Sequence, residues 1–126
     1  MFTFHAMGTD VQVAVPGLDL RHEAALARQV AELFEAEEQR FSRFRDDSEL
    51  SRVNGADGQT EVSRELLAAL LRARSYVALT GGIFDPAIGV ALVAHGYDRS
   101  FAPGALERAV GAADVFEAHF DDVQID

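Results

Sequence analysis

Thr80-Gly81-Gly82-Ile83-Phe84-Asp85-Pro86 brings together two permissive glycines, an apolar pair, a carboxylate and a proline. Without a Cβ, each glycine lets a ligand approach the backbone or lets the chain turn with positive φ. Asp85 before Pro86 reads as an N-cap followed by a first-turn proline, a junction that leaves amide donors of the next helix aimed at one place. Such donors suit a phosphate-bearing or otherwise polar ligand. The same residues also make an ordinary loop-to-helix junction with no ligand at all.

Two upstream segments carry chemistry of a related kind. Met7-Gly8-Thr9 lies between two strand-like runs, and an unbranched thioether beside a glycine can lie over a flat ring. A hairpin tip whose methionine packs on the first long helix would use the same residues. Farther on, Phe41-Ser42-Arg43-Phe44-Arg45-Asp46-Asp47-Ser48 flanks an aromatic with guanidinium groups, and Arg52 follows. Arginines hold phosphates through planar, charge-assisted hydrogen bonds, and the neighbouring acids compete for them. Ser48 and Asn54 read as cap and turn residues. His5, His22, His95 and His119 have neither metal-site spacing nor a paired nucleophile, and the doublets Asp46-Asp47 and Asp121-Asp122 lack the calcium-loop pattern.

In this order and at these separations, the three segments resemble the N-terminal part of the ApbE family, the FAD:protein FMN transferases. The resemblance runs from Phe4 to about Gly96 and continues more vaguely to Asp126. It implies cleavage of the FAD pyrophosphate, with FMN passing to a Thr or Ser hydroxyl of a target protein. It also implies flavin contacts from Met7, Phe44, Ile83, Phe84 and Asp85. Family members often have tyrosine where Phe44 stands, so the stacking surface is kept and one hydroxyl is lost. FAD is then the substrate, and Mg²⁺ is expected from a C-terminal half that family members carry beyond these residues. The implied partners are a flavin-accepting protein and, where the halves are separate, a second polypeptide supplying that half. None of the matching residues is a metal ligand, and none is assigned a catalytic role. The alternatives are a flavin-binding fragment without turnover and a small acidic interaction module indifferent to FAD.

Composition narrows the field. A formal charge of −10, from 21 acidic and 11 basic residues, repels a nucleic-acid backbone and an anionic membrane. Every basic residue is arginine, so no lysine is present for a Schiff base or a Walker A loop. The absence of cysteine removes disulfides, thiol nucleophiles and thiolate metal sites. With no bilayer-length apolar run and no basic-then-apolar leader in the sequence as written, a cytoplasmic location is expected, although many relatives are exported lipoproteins.

The elements that must position these segments follow from periodicity. Residues 2–5 and 11–15 alternate as half-buried strands around a hairpin connection. Residues 19–41 form the first long helix, with Leu26, Val30, Leu33, Phe34 and Phe41 on its stripe and Glu35, Glu37, Glu38 and Gln39 off it. Asp46-Asp47-Ser48 caps a short helical turn over residues 49–53. Ser63 caps a second long helix striped by Leu66, Leu70, Ala73 and Val77, which Thr80-Gly81-Gly82 closes. A small-residue helix is expected from Pro86 to Ala94, another from Pro103 to about Ala112, and a strand-like tail over residues 121–126. With 126 residues and no linker, the expectation is one α+β domain, an antiparallel sheet with covering helices, resembling the N-terminal half of an ApbE-like domain.

Overall fold

In the computed structural model, which describes residues 1–97 and 119–125, the chain divides into two compact units, Met1–Thr60 and Glu61–Asp126. The period-two alternation of Phe2, Phe4 and Ala6 with Thr3 and His5 builds β1 (Phe2–Ala6), which pairs antiparallel with β2 (Thr9–Val13). Ala6 opposite Thr9 leaves only Met7 and Gly8 for the turn, with φ of 51° and 72°. Two residues of positive φ are what a tight hairpin needs to match the right-handed twist of its strands. β2 stops at Val13, two residues short of the expected end. Its partner strand starts at Phe2, opposite Val13, so residues 14 and 15 have no ladder to join.

Across the hairpin lies α1 (Leu20–Phe41), capped by Asp19, whose carboxylate accepts from the Arg21 amide at 3.0 Å and the His22 amide at 3.2 Å. The Phe4 ring meets Phe34 of α1 edge-on, with centroids 5.6 Å apart. Ala27, two turns before Phe34, is buried, as is Ala6 in the sheet. The packed edge is therefore rotated from the expected stripe: Leu33 is 59% exposed, while Glu37, Glu38 and Gln39 are half-buried. A hairpin can approach a helix closely where both surfaces offer alanine, and that approach leaves the bulkier leucines outside.

The end of α1 is joined to α2 (Glu49–Asn54) through one hydroxyl. Ser48, fully buried, accepts from the Ser51 amide at 3.0 Å as the N-cap of α2 and donates to the Ser42 carbonyl at 2.6 Å. Ser42 is itself the C-cap of α1. A single side chain thus closes the orphan groups of two helix ends at once.

In the second unit, α3 (Arg64–Thr80) starts at its N-cap Ser63 and buries Leu66 and Val77, with Leu70 and Ala73 half-buried between them, as the periodicity predicts. It ends in a left-handed Gly81, φ 61°, whose amide bonds the Ala78 carbonyl while the Gly82 amide bonds the Val77 carbonyl. That pairing is the Schellman arrangement. The following helix, α4 (Gly89–Ala94), begins three residues later than expected. A 3-10 turn, Phe120–Asp122, packs its buried Phe120 in the unit that holds α3, so the expected tail strand starts as a helical turn. Residues 123–125 have no ladder partner among the described residues. The helix expected from Pro103 lies outside the described residues. Among the described residues, a two-stranded antiparallel sheet and four α-helices make an α+β fold.

Replacing Ser48 by alanine removes a cap and leaves the half-buried Ser42 carbonyl with only the longer Ser51 hydroxyl bond at 3.4 Å, so Ser48→Ala should lower unfolding free energy by about 1–2 kcal/mol in urea titrations of the chain. An effect below about 0.5 kcal/mol would show that the two helix ends are held by other groups.

Candidate functional site

The loop after α3 is built from Thr80 outward. Its hydroxyl donates to the Tyr76 carbonyl at 2.8 Å and accepts the Phe84 amide at 3.0 Å, while its carbonyl takes the Ile83 amide at 3.4 Å. A Cβ placed on Gly81 or Gly82 would meet nothing, so the positive φ values, 61° and 84°, are what require glycine there. This favours the turn reading of the glycine pair. The turn pushes Ile83 outward to 92% exposure. Phe84 is 43% exposed and leans edge-on against Tyr76, with ring centroids 6.2 Å apart. Thr80 carries this geometry, and the sequence signalled it only as part of the helix stop.

Asp85 does not cap a helix. Its Oδ1 accepts the Ala87 amide at 2.8 Å, an Asx turn, and α4 begins only at Gly89, with Ile88 as an N-cap that offers no side-chain bond. The carboxylate also receives the Phe120 amide, at 3.2 Å and 3.3 Å to its two oxygens, and His119 Nδ1 lies 3.4 Å from Oδ2. With its oxygens shared among these donors, residues 86–88 stay a turn, and the amides expected to point at a ligand are those of no formed helix. The Ala87 amide is the main reason its pKa sits below the ordinary 3.8, opposed by burial and helped by the Phe120 amide and His119. A partner 35 positions away has no sequence signal, because nothing in the local pattern marks Phe120 as a donor.

In the first unit, Met7 presents its side chain at 55% exposure from the hairpin tip, and its amide donates to Glu38 Oε1 of α1 at 2.9 Å. The tip therefore meets the helix through the backbone of Met7. Phe44, half-buried, has the Arg43 guanidinium 4.2 Å from its ring centroid, a cation–π contact. Arg45 pairs with Glu35 at 2.8 Å and lies 3.8 Å from Asp47, and the Glu35 hydrogen bond is the main cause that raises its pKa. The acids thus take Arg45, as the competing reading of the motif allowed. The structure brings the hairpin tip and the residues 43–47 segment to the same turns of α1, and it places Ile83, Phe84 and Asp85 in the second unit.

Two other histidines stay local: His5 pairs with Asp10 at 3.0 Å across the hairpin, and His22 pairs with the Asp19 carboxylate at the start of α1. Among the described residues, no three His, Cys, Asp or Glu side chains lie close enough together to hold a metal ion. Nor is any described helix long and apolar enough to cross a membrane.

Sequence comparison settles the kinship of these segments. The pattern of the ApbE family matches residues 7–125, which takes in the hairpin tip, the arginine-flanked Phe44 and the glycine turn. The chain belongs to the ApbE family. Among curated proteins, an FAD:protein FMN transferase of Treponema pallidum (strain Nichols) is 36% identical over 101 residues, an alignment covering 75% of this chain and 28% of the relative. This ApbE chain therefore spans under a third of the length of that relative.

The Asp85 carboxylate gives a pH signature. Because its folded pKa lies below the unfolded value of about 3.8, its stabilisation is complete above that value and is lost as pH falls through the folded one. Asp85→Asn should therefore be less stable than wild type at pH 6, and the gap should close below about pH 3.8 in urea midpoints measured against pH. A gap independent of pH would mean that these amides do not favour the ionised carboxylate.

Proposed function

We propose that this chain is the flavin-facing, N-terminal portion of an FAD:protein FMN transferase. The family match over residues 7–125 and the name of the Treponema relative support the reading. The structural observation that carries it is Ile83, a large aliphatic side chain 92% exposed on a turn held by Thr80 on one side and Asp85 on the other. A tethered loop that keeps an apolar residue in water gains free energy when a flat ligand covers it, roughly 1.5–3 kcal/mol for a fully buried isoleucine.

In this reading Ile83 and Phe84 lie along the flavin and its polyol chain, and Asp85 accepts from a ring nitrogen or a hydroxyl with the part of its carboxylate left by Ala87 and Phe120. Met7 and Phe44 are the further flavin contacts. Met supplies a polarisable surface for an aromatic face, and Phe44 supplies an aromatic ring already in contact with Arg43. The transfer joins a Thr or Ser hydroxyl oxygen of the target protein to the FMN phosphorus, breaks the bond to the AMP phosphate, and releases the hydroxyl proton. Reactions of this kind use Mg²⁺ to neutralise developing charge. Among the described residues no such ligand set comes together. The metal's ligands, and the remaining diphosphate contacts, then lie outside the described residues, on this polypeptide or on a second one.

Titrating FAD into the whole chain, with flavin fluorescence as the readout, tests the site. Ile83→Ala and Phe84→Ala should each weaken binding about tenfold, the equivalent of 1.4 kcal/mol, with unchanged far-ultraviolet circular dichroism. Met7→Ala should weaken it by a smaller factor. Wild-type protein that leaves FAD fluorescence untouched sinks the flavin reading, and binding that ignores all three substitutions sinks the site.

A further inference from the structure

We infer that Glu38 is a positioning residue for the hairpin tip, holding Met7 in the one backbone conformation that presents its side chain to ligand. The inference rests on the flavin reading for its ligand and on the geometry of the first unit for everything else. Met7 has φ of 51°, the only non-glycine residue with positive φ among the described residues. A side chain in the left-handed region costs roughly 1–2 kcal/mol, and tight hairpins normally place Asn, Asp or Gly there. Methionine offers the turn no local hydrogen bond in exchange. What holds the conformation is a contact from outside the hairpin, the Met7 amide on Glu38 Oε1 at 2.9 Å, across 31 residues of sequence. A carboxylate acceptor makes that bond charge-assisted.

The same stretch of α1 fixes the other proposed flavin contact of this unit. Glu35, one turn before Glu38, holds Arg45 at 2.8 Å, and Gln39 Nε2 donates to the Asp47 carbonyl at 2.8 Å. Arg45 also feels the charge of Glu38. One helical turn, residues 35–39, thus fastens both the tip that carries Met7 and the segment that carries Phe44. Losing the Glu38 acceptor should release Met7 first, since its conformation is the strained one, and should leave α1 itself intact.

Amide hydrogen exchange and FAD titration on the whole chain separate the possibilities. Glu38→Ala should speed exchange at the Met7 amide about tenfold or more and weaken FAD binding by about fivefold, no more than Met7→Ala does, while α1 amides exchange as before. Glu38→Gln keeps an oxygen acceptor and should stay within about threefold of wild type in both measurements. Met7→Gly relieves the strain and should hold or raise thermal stability while still weakening FAD binding, which a purely structural turn residue would not do. Unchanged Met7 exchange in Glu38→Ala overturns the inference whatever FAD does. If wild type fails to bind FAD, the flavin reading falls separately, and the exchange data still decide whether Glu38 fixes the tip.

Discussion

Backbone amides without a partner in their own helix or strand must find acceptors, and here side-chain oxygens supply several of them. Glu38 takes the amide of Met7, Ser48 that of Ser51, Thr80 that of Phe84, and Asp85 those of Ala87 and Phe120. This is why Ile83 can stand almost wholly in water on a defined turn, and why a methionine can occupy a left-handed position.

The proposed flavin reading implies a division of labour between residues that would touch the ligand and residues that would aim them. Ile83, Phe84 and Met7 have side chains without hydrogen-bonding duties and large exposed surfaces, which suits them to a flat, largely apolar ring. Thr80 and Glu38 aim them. Asp85 straddles the two roles, because the oxygens proposed to meet the flavin already hold a turn together. A substitution there changes ligand contact and loop geometry at once, and only a stability measurement beside the binding curve separates them.

Electrostatics constrains the same picture. A chain with 21 acidic and 11 basic residues and no lysine has little to spend on a pyrophosphate. Arg45 is engaged by Glu35, and Arg40 by Glu37 at 2.8 Å. Arg43 stacks on Phe44 and Arg45 pairs with acids, so both help to build the loop.

The sequence by itself determined the local elements. Alternation marked the hairpin, Asp19, Ser48 and Ser63 marked three helix starts, and Gly81 marked a helix stop, because caps and periodicity act over three or four residues. It also carried the family, through three short segments in order. Tertiary structure alone decided what those elements do to one another: the rotation of α1 that exposes Leu33 and turns Glu38 toward Met7, and the diversion of Asp85 from a helix cap to the Phe120 amide. Those outcomes depend on which surfaces approach closely enough to compete for an oxygen. Competition between groups 31 or 35 residues apart leaves no mark on local periodicity.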